Sequence, residues 1–130
     1  MPTIAGGSDA GLIALAERCT AARRARNEAI DRLEAAMVGR PVLALDTDAN
    51  LRALDAAHQD AADEFDAMAF VLFWAPATTL DGALAKRRAL DGDDVQPERR
   101  GIAISGRLNT GDQRLTTHVV AALRCLQEGR

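Results

Sequence analysis

At 130 residues the chain is one domain's worth of sequence, long enough for a modest core. With 48% hydrophobic residues, much of that alanine, only 3% aromatics and no tyrosine, it suits helices packed through small residues and argues against a β-sandwich. A net charge of −3 and a pI of about 5.3 argue against a dedicated nucleic-acid binder, which is usually basic.

Residues 1–7, MPTIAGG, read as a frayed terminus. Ser8 is placed to cap a first helix, with Asp9 at its positive end. Apolar residues then recur at Leu12, Leu15, Cys19, Ala22, Ala29, Leu33 and Ala36, mostly three or four apart, which is the period of an amphipathic helix. Gly39-Arg40-Pro41 stops it, because glycine permits a left-handed cap and proline cannot continue the ladder.

The connector 42–48 ends in cap chemistry, with Asp46, Thr47 or Asp48 opening a second helix. There Leu51, Leu54, His58, Ala61, Phe65, Met68 and Leu72 alternate threes and fours, a heptad seam of coiled-coil type. Two long helices joined by a short connector are expected to lie antiparallel. The first carries Arg18, Arg23, Arg24, Arg26 and Arg32, and the second carries Asp55, Asp60, Asp63, Glu64 and Asp66. A turn centred near residue 43 would set Arg26 opposite Asp60, Arg23 opposite Asp63 and Arg32 near Asp55.

Pro76 ends the second helix, and Thr78 with Asp81 reads as the capping box of a third. Leu80, Leu84 and Leu90 form its expected buried side, and Gly82 would let another helix come close. The stretch 91–111 holds four glycines, a proline and mixed charge, and is expected to be an irregular loop. Within it 101–106, GIAISG, is a candidate short strand. Thr110 or Asp112 caps a last helix over 112–128, with Leu115, Val119, Ala122, Leu123 and Leu126 on one face. The expected fold is all-α: one domain over 1–130, a long antiparallel hairpin, a short third helix and a C-terminal helix.

Chemistry is harder to find. Cys19 and Cys125 form no CxxC pair and read as reduced core thiols. Asp55 and His58 make a D-x-x-H, but di-metal bundles need several inward carboxylates and a second such motif. GxSxG, GxGxxG and a phosphate loop are absent. No catalytic, metal or cofactor-binding residue is assigned, and no cofactor is expected. The apolar run 67–75 is too short to cross a bilayer, and residues 1–30 do not have the layout of a secretory leader. The expectation is a cytoplasmic protein with no membrane partner.

Two features point to contact. Lys86, the only lysine, begins the cationic triplet Lys86-Arg87-Arg88, which Arg99, Arg100 and Arg107 would extend if the chain folds back. Phe65, Phe70, Phe73 and Trp74 are all the aromatics the protein has, and they make the end of the second helix apolar on more than one face. Later helices or a second copy would have to cover it. The candidate partner-contact residues are therefore Phe73, Trp74, Lys86, Arg87 and Arg88.

The segment 76–90, PATTLDGALAKRRAL, resembles a loose group of small, uncharacterised helical proteins of alphaproteobacteria that share P-A-T-T-L-x-G-x-x-A-K-x-R-x-L. Pro76, Ala77, Thr78, Thr79, Leu80, Gly82, Ala85, Lys86, Arg88 and Leu90 carry the match. The resemblance implies a helical hairpin and brings no activity with it. The expected function is a small helical interaction or self-associating module without catalytic activity, its partner a protein or a second copy. The alternative is an accessory nucleic-acid-associated protein of a mobile element.

Overall fold

The computed structural model describes residues 9–91 and 97–128. The expected frayed terminus at 1–7 and the Ser8 cap lie outside the described residues. The fold is all-α. Helix α1 spans Ala10–Met37 and α3 spans Ala49–Trp74, with the single turn α2, Ala44–Thr47, between them. The two long helices form the expected antiparallel pair. Gly39 takes a left-handed φ of 73°, so α1 stops where glycine and proline predicted. Asp48 proves to be the cap of α3, accepting from the backbone N–H groups of Asn50 and Leu51.

Three shorter helices follow: α4 (Leu80–Leu90), α5 (Pro97–Asn109) and α6 (Gln113–Glu128). They pack around the base of the hairpin, where α1 begins and α3 ends. Leu12, Leu15 and Cys19 of α1 meet Phe65, Met68 and Leu72 of α3, joined by Ala89 of α4 and Ala122 and Cys125 of α6. Toward the turn end only Ala29, Leu33, Ala44 and Leu51 are well buried. Seam residues Leu54, His58 and Ala61 are consequently half-buried, since two helices alone cannot cover them.

The expected irregular loop at 91–111 is overturned, and so is its alternative strand at 101–106, because α5 occupies 97–109. Residues 92–96 lie outside the described residues. Helix α5 has weak local propensity, with glycines at 101 and 106. Tertiary contacts hold it instead. Ile104 is buried against Ala67 and Leu115. One turn to either side, Arg100 pairs with Asp66 and Arg107 pairs with Asp63 at 2.8 Å. Gly111, at φ 79°, ends α5 in a Schellman motif: Asp112 N–H donates to Arg107 C=O and Gly111 N–H donates to Leu108 C=O.

The arginine register across the hairpin is also corrected. Asp63 pairs with Arg107 and Arg114, Asp60 with His118, and Asp55 accepts from Gln59. The acidic side of α3 thus faces α5 and α6. Arg23 and Arg26 lie over the ring of Phe65, 5.3 and 4.5 Å from its centroid. Arg23 also donates to the carbonyls of Ala89 and Asp91, closing the end of α4.

Candidate functional site

The corner between α3 and α4 is built from the inside. Asp9 stands at the N-cap position of α1, but its side chain makes no bond to that helix. Its carboxylate accepts instead from the backbone N–H and the hydroxyl of both Thr78 and Thr79, at 2.6–3.1 Å. These bonds, the Thr79 hydroxyl foremost, hold the Asp9 carboxyl at about 2 against the opposing effect of burial. The cap of α4 is Thr79, which accepts from Gly82 N–H, so the cap falls one residue later than expected and, with glycine at N3, the expected Thr78–Asp81 box does not form. A Cβ on Gly82 would overlap the Asp9 carboxylate. Gly82 makes room for that anion.

Admitting Asp9 turns α4 over. Gly82 and Ala89 are buried, whereas Leu80 is 74% and Leu84 40% exposed. Of the expected buried leucines only Leu90 packs on the core. Small residues win the inward face because α1 lies too near for leucine.

The cationic triplet is divided by the same geometry. Lys86 donates to the Ala75 carbonyl at 2.6 Å, satisfying an acceptor left open at the end of α3. Burial draws its pKa below the usual lysine value. Arg87 and Arg88 remain exposed in the last turn of α4. Arg100 and Arg107 reach the acids of α3 and do not join them.

Of the two aromatic candidates, Phe73 is half-buried and Trp74 is 68% exposed, with their rings edge to face at 5.1 Å. Trp74 stands on the rim of an open apolar groove of about 990 Å³ between the end of α3, α5 and α6. Phe70 and Val71 of α3, with Val119 and Leu126 of α6, supply its apolar walls. The α5 side is nearly bare, presenting Gly101, Ser105, Gly106 and Asn109. No charged side chain lines it among the described residues. Ile102, 78% exposed, and Leu123, 44% exposed, complete the rim.

Sequence reasoning missed this site because it took α5 for a loop. The signal was present: Arg100, Ile104 and Arg107 fall at i, i+4 and i+7, one helical face. Once that face is inward, Ile102 and Gly106 must look outward.

Neither histidine collects metal ligands, and no group of three His, Cys, Asp or Glu able to hold a metal occurs among the described residues. No described helix is long and apolar enough to cross a membrane. The chain matches no family model, no curated protein and no solved structure.

Proposed function

We propose that this chain is a small helical interaction protein that self-associates through the apolar groove and has no chemistry of its own. The groove carries the reading. An open groove of about 990 Å³, with no charged side chain in its described lining and rimmed by Trp74, Ile102 and Leu123, is the form a helix-docking site takes. A resemblance to small helical proteins without known activity is compatible with that role. The nucleic-acid alternative is left with Arg87, Arg88 and the exposed Arg99, since Lys86 is engaged at Ala75 and Arg100 and Arg107 pair with acids of α3.

Trp74 is the only tryptophan, so its emission reports on the groove directly. Sedimentation over a range of concentrations, read beside Trp74 fluorescence, should give a rising mass and a shift to shorter wavelength. Ile102→Glu puts a charge on the rim at a position already exposed and should abolish both. A wild-type chain that stays monomeric with unchanged emission ends the self-association reading.

A further inference from the structure

We draw no further inference here: the strongest candidate, the open apolar groove between the end of α3, α5 and α6, carries nothing beyond the self-association already proposed, because nothing in the structure shows what covers it.

Discussion

Asp9 stands at the start of one helix and holds the start of another. The sequence placed it beside the positive end of α1, which is a local argument, and the fold sends its carboxylate across 69 residues of chain to Thr78. Its folded pKa of about 2 lies below the ordinary 3.8. The sign follows: its stabilisation is fully present above 3.8 and is lost as pH falls through about 2. Asp9→Asn should therefore lower the melting temperature at neutral pH and flatten its fall between 3.8 and about 2. An acid limb identical to wild type would show that Asp9 does not contribute to it. Two helical glycines give an opposed pair. In the monomer, Gly106→Ala should stabilise by about 1 kcal/mol, since no described atom lies within 4 Å of the new methyl. Gly82→Ala should destabilise by roughly 1–3 kcal/mol despite the better propensity, because Asp9 must move. Urea unfolding of both variants measures the difference.

At the scale of elements, α5 is the instructive case. Its glycines and flanking charges read locally as a loop, and a propensity argument cannot see the acids waiting on α3. Burial pushes the Asp63 carboxyl up, but the bonds and charge of Arg107, then of Arg114, outweigh it and hold the group below its ordinary value. Asp63→Asn should cost about 1–3 kcal/mol by weakening charge-assisted bonds to both arginines. Ile104→Ala should cost more, about 2–5 kcal/mol, because Ile104 is the best-buried side chain of α5. Hydrogen exchange distinguishes local from global effects. In Ile104→Ala the amides of 99–109 should lose protection before those of Leu12–Cys19, and equal loss would show that α5 does not undock by itself. Helix α4 gives the converse lesson. Its leucines were legible, but which side faces the core was decided by Asp9 and the close approach of α1.

For the whole molecule, burial is graded along the hairpin. The base is covered by α4, α5 and α6, whereas the turn end leaves Val38, Val42 and Leu43 exposed at 80%, 78% and 73%. Protection should fall from the base toward the turn, so that amides near Leu54 exchange faster than those near Met68. A uniform profile would mean that the turn end is covered in solution. The long pair, its antiparallel sense, the glycine stop at Gly39 and a cap within 46–48 were all readable in the sequence. Each depends on neighbours within a few residues and on the 3.6-residue period. Only the tertiary structure decided the inward face of α4, the partners of the α3 acids, the helicity of α5 and therefore the groove. These are set by side chains that meet across the fold, such as Asp9 with Thr78 and Asp63 with Arg107, where separation in sequence carries no information about distance in space.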